Sequence, residues 1–368
     1  MRSFALAVGA FALGASADKK AEFQLKTAEA GSRRVLVYFP AEISEMKGVT
    51  PKLHVGLHGL GDSPSNFCSA TLLDEKAPKE GHILVCPAAD QNGWFFQASW
   101  NAGKCCHSDN VDDFAFLESL LVYMGDAVDK DYAPFLPKDT ETAVVEVTEA
   151  QKEVQKDLPF ESVFFSGFSA GGMMSEAFAC KHPEAIDAVA SVGGAVVLRP
   201  GNMEGLSKCD QMMEEGRDPS VWQLRKREGN GERAVSILSM HGTADIKVPL
   251  GGNSLLGFPP IRSDLDAWVR RNQCSRAGEE GPPREESVPS SRTTVTALVW
   301  DEETSGCSSA IQQKLIKYGG GGHSWFHDTK FDTTTTIMQF HKDAEGRRAE
   351  AEKLSEGGTE STEVSLVE

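Results

Sequence analysis

Val163-Phe164-Phe165-Ser166-Gly167-Phe168-Ser169-Ala170-Gly171-Gly172-Met173-Met174-Ser175-Glu176-Ala177-Phe178 runs from an apolar β-type stretch through a serine set between glycines into a segment with helical apolar spacing. Val163 to Phe165 predicts a strand, and Gly172 to Phe178, with Met173, Met174, Ala177 and Phe178, predicts a helix. G-x-S-x-G between a strand and a helix is the context of a nucleophile elbow, where a sharp turn lifts the serine side chain above a sheet. Small residues must flank the serine so that the backbone can bend and a substrate can approach. The bland alternative is a glycine turn whose serine caps the helix.

Outward from this turn the chain repeats strand-like and helix-like stretches. Val35–Phe39, Leu53–Leu57 and Ile83–Cys86 are continuous β-branched and apolar runs, stopped by Pro40, His58-Gly59 and Pro87. Ala188–Val192, Ile237–Met240, Val295–Trp300 and Lys314–Tyr318 continue the series. Continuous rather than alternating apolar runs predict strands covered on both faces. Asp112 to about Val128 has helical spacing at Phe114, Leu117, Leu120, Leu121 and Met124, and Ile261–Arg271 has it at Leu265, Trp268 and Val269. Strands interleaved with helices predict an α/β fold with a mainly parallel central sheet, covered by helices on both faces.

A nucleophilic serine needs a base and an orienting acid, in the chain order Ser, Asp or Glu, His. Asp245, in His241-Gly242-Thr243-Ala244-Asp245, follows the Ile237–Met240 strand. His323, in Gly319-Gly320-Gly321-Gly322-His323-Ser324-Trp325, follows Lys314–Tyr318. Both leave strand ends, where open α/β sheets place their ligands. Asp62 and Asp109 precede the serine and are weaker candidates, and His58 and His241 suit structural bonds to backbone. His327 stands four residues after His323, but the glycine loop is not the helix a histidine metal pair needs and no third ligand is evident, so no metal is expected. An oxyanion hole needs two backbone N–H donors. Ala170, after the serine, predicts one, and Leu60 in His58-Gly59-Leu60-Gly61 predicts the other. Trp94, Phe95, Phe96 and Trp100, with Trp325 after the histidine, form a candidate substrate wall, each equally suited to core packing.

These pieces fall into a known order. The chain resembles the secreted esterases of the polyhydroxybutyrate-depolymerase and feruloyl-esterase type, within the α/β-hydrolase superfamily. The resemblance is carried by Leu57-His58-Gly59 with Asn66-Phe67, and by Trp100-Asn101-Ala102-Gly103-Lys104-Cys105-Cys106 with Asn110-Val111-Asp112-Asp113. Further segments are Gly167 to Met174, Ala190-Ser191-Val192-Gly193-Gly194, His241 to Asp245 with Val248-Pro249, and Gly320 to Trp325. It spans about residues 30 to 328 and implies an α/β-hydrolase fold, an ester hydrolase without cofactor, Ser169 as nucleophile, Asp245 as acid, His323 as base, and oxyanion donors at Leu60 and Ala170. It also implies a Cys274–Cys307 bridge and an ester substrate, either hydroxycinnamoyl esters of polysaccharide or short polyester. Cys105 and Cys106 are expected to pair with other cysteines, Cys68 among them, although spacing does not give connectivity. The sequence departs from the resemblance at His107, at Phe326, and in an added acidic segment from Asp131 to Pro159, where Thr148–Leu158 predicts a second helix.

The 368 residues carry 54 acidic and 37 basic side chains, a net charge of -17. Such a surface repels phosphate backbones and anionic lipid, so no nucleic-acid partner is expected. No apolar run reaches the length of a bilayer span. Met1-Arg2, an apolar run from Phe4 to Leu13, and Ala15-Ser16-Ala17 predict a signal peptide over 1–17 and hence secretion. Eight cysteines without C-x-x-C suit disulfides, and no N-x-S/T sequon occurs. One catalytic domain is expected over 18–342, with a polar surface loop from Ser275 to Arg292. Residues 343–368, with eight acidic and three basic groups, read as an acidic disordered tail. A serine peptidase or a secreted binding protein that has lost its chemistry are the other classes this pattern allows, and oligomeric state is not legible.

Overall fold

The strands expected from the apolar runs assemble into one sheet in this computed structural model, which describes residues 19–28, 30–107, 111–135, 143–147, 157–215, 223–224, 234–274 and 282–359. The predicted signal segment, and Thr148 to residue 156 of the predicted second helix, lie outside the described residues. In chain order the strands are β1 (Lys20–Thr27), β2 (Gly31–Tyr38), β3 (Lys52–Leu57), β4 (His82–Pro87), β5 (Ala143–Glu146), β6 (Asp157–Leu158), β7 (Ser162–Phe168), β8 (Ala188–Val192), β9 (Gln223–Leu224), β10 (Ser236–Gly242), β11 (Arg284–Val288), β12 (Val295–Trp300) and β13 (Gln313–Tyr318). The main sheet has the order β11-β12-β13-β10-β8-β7-β3-β4-β2-β1-β5. From β13 to β4 its six strands are parallel, and β2, β1, β12 and β11 extend it by antiparallel pairing. The separate pair β6–β9 places Asp157 and Leu158 in a strand rather than in the expected helix.

The helices are α1 (Pro64–Ala70), α2 (Leu73–Lys79), α3 (Asp113–Asp129), α4 (Ala170–Lys181), α5 (Asn202–Glu215), α6 (Ile261–Arg271), α7 (Glu302–Ser305) and α8 (Thr333–Thr359). Asp112 caps α3 by accepting from the Ala115 N–H at 3.0 Å, which starts the helix where its apolar spacing begins. Successive strand residues face opposite layers. Val163, Phe165, Val189 and Ile237 join α3, α4 and α6 in one core, while Phe164, Ala188, Ala190 and Leu238 pack with α8 in another. Burial of both faces is why these strands read as unbroken apolar runs. The result is the α/β-hydrolase fold.

Two expectations fail at the C-terminal half. The tail expected to be disordered from Asp343 is helical as far as Thr359, because its Ala, Glu, Lys and Arg residues are strong helix formers and its first turns are anchored. Ala344 is buried in the core. Glu345 accepts from Lys52 Nζ at 2.6 Å and from Ser162 Oγ at 2.8 Å, and Arg348 pairs with Asp187. Within the expected surface loop, Arg284–Val288 is the edge strand β11. Its charged, largely exposed residues suit an edge, where they hinder pairing with a further chain.

All eight cysteines are bonded. Cys68–Cys86 ties α1 to β4, Cys180–Cys209 ties α4 to α5, and Cys274–Cys307 ties the end of α6 to the connection before β13. Cys105 pairs with its neighbour Cys106, not with Cys68. Cys68 and Cys86 share the small core under α1 and α2, so a partner for Cys68 is already at hand. Four disulfides point to an oxidising compartment. No described helix is long and apolar enough to cross a membrane.

Candidate active site

The turn between β7 and α4 is an elbow. Ser169 has φ 54° and ψ -118°, outside the regions a β-carbon favours, which costs about 1–3 kcal/mol and persists only because its surroundings hold it. Its N–H donates to Val192 O at 2.8 Å and its carbonyl accepts from Met173 N at 3.0 Å. The need for small neighbours is steric. A β-carbon at Gly171 would lie 2.0 Å from Leu57 O, and one at Gly167 would lie 2.2 Å from the Gly171 carbonyl carbon. Gly171→Ala is therefore expected to lower stability by more than about 4 kcal/mol, since backbone rather than a movable side chain is in the way. Thermal unfolding of the purified variant checks this, and a melting temperature near wild type would contradict it.

The loops after β10 and β13 bring Asp245 and His323 together. Thr243 N donates to Tyr318 O at 3.0 Å, Ala244 N to Gly321 O at 2.9 Å, and Gly320 N to Thr243 Oγ1 at 2.8 Å. A β-carbon at Gly242 would meet Gly321 O at 2.2 Å, so the glycine run packs directly on this strand end. His323 Nδ1 lies 2.7 Å from Asp245 Oδ2. The other carboxylate oxygen, Oδ1, accepts from the Lys247 and Val248 N–H groups, each at 2.9 Å. A carboxylate only accepts, so the proton sits on Nδ1 and leaves Nε2 as an acceptor. The imidazole packs against Phe168, the residue before Ser169, with ring centroids 4.9 Å apart.

The two neighbouring histidines are braces. His241 donates from Nε2 to Val248 O at 2.7 Å and stands 3.6 Å from Asp245, too far for a hydrogen bond. Burial lowers its pKa and keeps it neutral. His58 accepts from Ala89 N at 3.1 Å through Nε2 and bonds Gly59 O at 2.8 Å through Nδ1, and burial lowers its pKa also.

These bonds hold the loop that carries Leu60. Asp62 N closes a turn onto Gly59 O at 3.2 Å and Gly61 N reaches Ala98 O at 2.8 Å, neither using the Leu60 N–H. The loop runs beside the nucleophile, since a β-carbon on Gly59 would be 3.5 Å from Ser169 Cβ. Ala170 is the first residue of α4, so its N–H has no partner within the helix.

The expected aromatic wall divides. Trp100 is fully buried and its indole N–H donates to His58 O at 2.9 Å, so it is a strut of the Leu60 loop and not a substrate wall. Its large ring finds the core because the following loop is pinned inward: Asn101 N bonds the buried Asp113, which pairs with Arg33. Trp325 is partly buried, edge-on to Phe67 at 5.5 Å, and bonded to Thr334 Oγ1 at 2.9 Å. Trp94 stays partly exposed. His58 thus bonds backbone as its place before a glycine at a strand end predicts, whereas the scaffold role of Asp113 is one that an aspartate pair in sequence does not announce.

Elbow, fold and Asp–His pair together are those of a serine hydrolase. No protein-family model matches the sequence, and no curated protein matches it. Among solved structures, an acetyl xylan esterase from Aspergillus awamori superposes with a TM-score of 0.53 at 12% identity, covering 87% of this chain and 99% of its own. The acyl-protein thioesterase 2 of Zea mays gives 0.44 at 14% identity, covering 85% and 99%. An S-formylglutathione hydrolase from Staphylococcus aureus gives 0.42 at 13%, covering 89% and 97%. At such identities the first likeness is one of fold.

Proposed function

We propose that the chain is a secreted serine esterase that hydrolyses carboxylic esters, with hydroxycinnamoyl esters of polysaccharides as its substrate class. The observation that carries this reading is the 2.7 Å bond from His323 to Asp245 at the strand edge where the Ser169 elbow also stands. His323 Nε2 takes the Ser169 hydroxyl proton as Oγ attacks the ester carbonyl. The tetrahedral oxyanion is held by the Leu60 and Ala170 N–H groups, and collapse expels the alcohol with the proton returned from His323. Water, activated by the same nitrogen, then releases the acid. The four disulfides and the N-terminal apolar run support secretion.

One feature favours a second reading, a short-chain or hydroxybutyrate polyester as substrate. Loops leaving the carboxyl ends of the parallel strands carry a rim of apolar side chains: Phe95 at 80% exposure, Phe96 at 95%, Ile246 at 88% and Leu255 at 91%. Phe95 and Phe96 both hold left-handed backbone conformations, with φ of 60° and 55°. Strain of that kind is kept where the fold enforces it. Exposed apolar side chains of this kind can rest on an apolar polymer.

A panel of methyl ferulate, acetylated xylan, hydroxybutyrate oligomers and p-nitrophenyl acetate tests both. The first reading expects a preference for methyl ferulate of about a hundredfold or more in kcat/KM, worth about 2.7 kcal/mol of transition-state discrimination. The paired change Phe95→Ser and Phe96→Ser is expected to reduce turnover of ferulate or oligomer about tenfold while sparing p-nitrophenyl acetate. Turnover of casein with no ester turnover would make the chain a peptidase instead.

A further inference from the structure

The proposed base sits in a loop whose own composition does not hold it in place. His323 follows four glycines, Gly319 to Gly322, and glycine loses more backbone freedom on ordering than any other residue. A β-carbon on Gly320 or on Gly322 would meet nothing within 4 Å. His323 is nevertheless fixed 2.7 Å from Asp245. The residues on either side of the loop supply the restraint. Tyr318, the last residue of β13, and Phe326, just past the loop, stack ring on ring, with centroids 4.5 Å apart and planes 7° from parallel. The loop from Gly319 to Trp325 is thereby closed at its neck.

The glycine run lies against this stack. A β-carbon on Gly321 would lie 2.7 Å from Phe326 Cε1 and 2.8 Å from Tyr318 Cδ1, so a larger residue would have to displace the rings. Gly321 is also the residue whose carbonyl accepts from Ala244 N, next to Asp245. The rings thus bear on the base loop and on the acid loop through one residue. Both are buried, Phe331 leans on Tyr318 at 5.6 Å, and Phe326 O accepts from Thr333 N at 3.0 Å where α8 begins. Phe326 is one of the positions at which the sequence departs from the resemblance.

Asp328 locks the stack from behind. Its Oδ2 accepts from Tyr318 Oη at 3.1 Å and from Ser290 Oγ at 2.7 Å. Its Oδ1 accepts from Ser291 N at 3.0 Å, Ser291 Oγ at 2.8 Å, Lys330 N at 2.8 Å and Phe331 N at 3.0 Å. One carboxylate ties the segment after the base to the end of β13 and to the turn between β11 and β12. All of its bonds go to this scaffold, so it stands outside the proton transfer itself.

We propose that Tyr318, Phe326 and Asp328 are positioning residues for His323, a clasp across the neck of its loop that keeps the imidazole on Asp245. A displacement of about 1 Å at a catalytic group can cost about a hundredfold in rate. Loss of the clasp leaves the nucleophile, the oxyanion donors and the apolar rim where they are, so it lowers kcat and spares KM. This inference rests on the esterase reading for its kinetic arm only.

Phe326→Ala removes the stack and Asp328→Ala removes the lock. Each is expected to lower kcat on p-nitrophenyl acetate about tenfold or more, with KM within about twofold of wild type, measured well below the melting temperature of each variant. Asp328→Asn is the conservative control. Its amide oxygen keeps the four donors at Oδ1, and its NH₂ donates to Ser290 and Tyr318, whose hydroxyls also accept. It should hold kcat within about threefold of wild type. The Nδ1 proton of His323 gives a readout that needs no turnover. In its bond to Asp245 it resonates at low field in proton NMR, identified by its loss in His323→Gln, and it stays sharp only while exchange with water is slow. It should be sharp in wild type and Asp328→Asn, and broadened away in both alanine variants. Asp328 is partly exposed, so Asp328→Ala decides the matter if Phe326→Ala does not fold. Unchanged kcat and an unchanged resonance in the alanine variants overturn the proposal, as does absence of the resonance from wild type or an Asp328→Asn as impaired as Asp328→Ala. If wild type neither turns over ester nor reacts with a fluorophosphonate, the esterase reading fails while the low-field resonance still decides whether the clasp holds His323.

Discussion

Ser169→Ala is expected to reduce hydrolysis of an aryl ester by about 10⁴ to 10⁶-fold with no loss of fold. The hydroxyl is the atom that would be acylated, and the remaining oxyanion donors and binding surface leave only residual rate. Stability should hold or rise slightly, because the elbow's backbone bonds to Val192 O and Met173 N do not involve the side chain. Initial rates and fluorophosphonate labelling, alongside a melting curve, measure it. A variant that keeps a tenth of wild-type turnover would remove Ser169 from the mechanism.

The second large effect belongs to Asp245→Asn. Asp245 Oδ1 is fixed by two backbone N–H donors, from Lys247 and Val248. In the variant the amide oxygen must keep that position, since the amide nitrogen would set donor against donor. The NH₂ group then points at His323 Nδ1, where the Oδ2 carboxylate oxygen now lies at 2.7 Å. Nδ1 must accept, its proton moves to Nε2, and Nε2, the nitrogen proposed as the base for Ser169, can no longer take a proton. The expected fall in kcat is about 10⁴-fold at neutral pH, with KM little changed. Partial recovery at high pH is expected, as hydroxide lessens the need for a base. A loss below about tenfold would mean that Asp245 does not set the tautomer.

Much of this site could be read before any coordinates. The elbow was legible because strand, tight turn and helix are local properties of a dozen consecutive residues, and two glycines around a serine state a steric demand at short range. The strand series was legible because burial on both faces leaves an unbroken apolar run, as in Ala188–Val192. Asp245 and His323 could be placed at strand ends by the same logic, and chain order ranked them above Asp62 and Asp109.

Other features depend on which distant residue arrives at a given point. Trp100 looks like a binding residue beside Trp94, yet it is buried because Asp113 and Arg33 pull its loop into the core. Asp343 onward has the composition of a solvated tail, yet Lys52 and Ser162 hold Glu345 and the helix continues. The partner of Cys68 follows from the packing of α1 on β4, which no spacing encodes. Backbone sterics and hydrophobic periodicity act between near neighbours and are written along the chain, whereas burial, disulfide pairing and protonation depend on the low-dielectric contacts that folding creates between segments far apart in it.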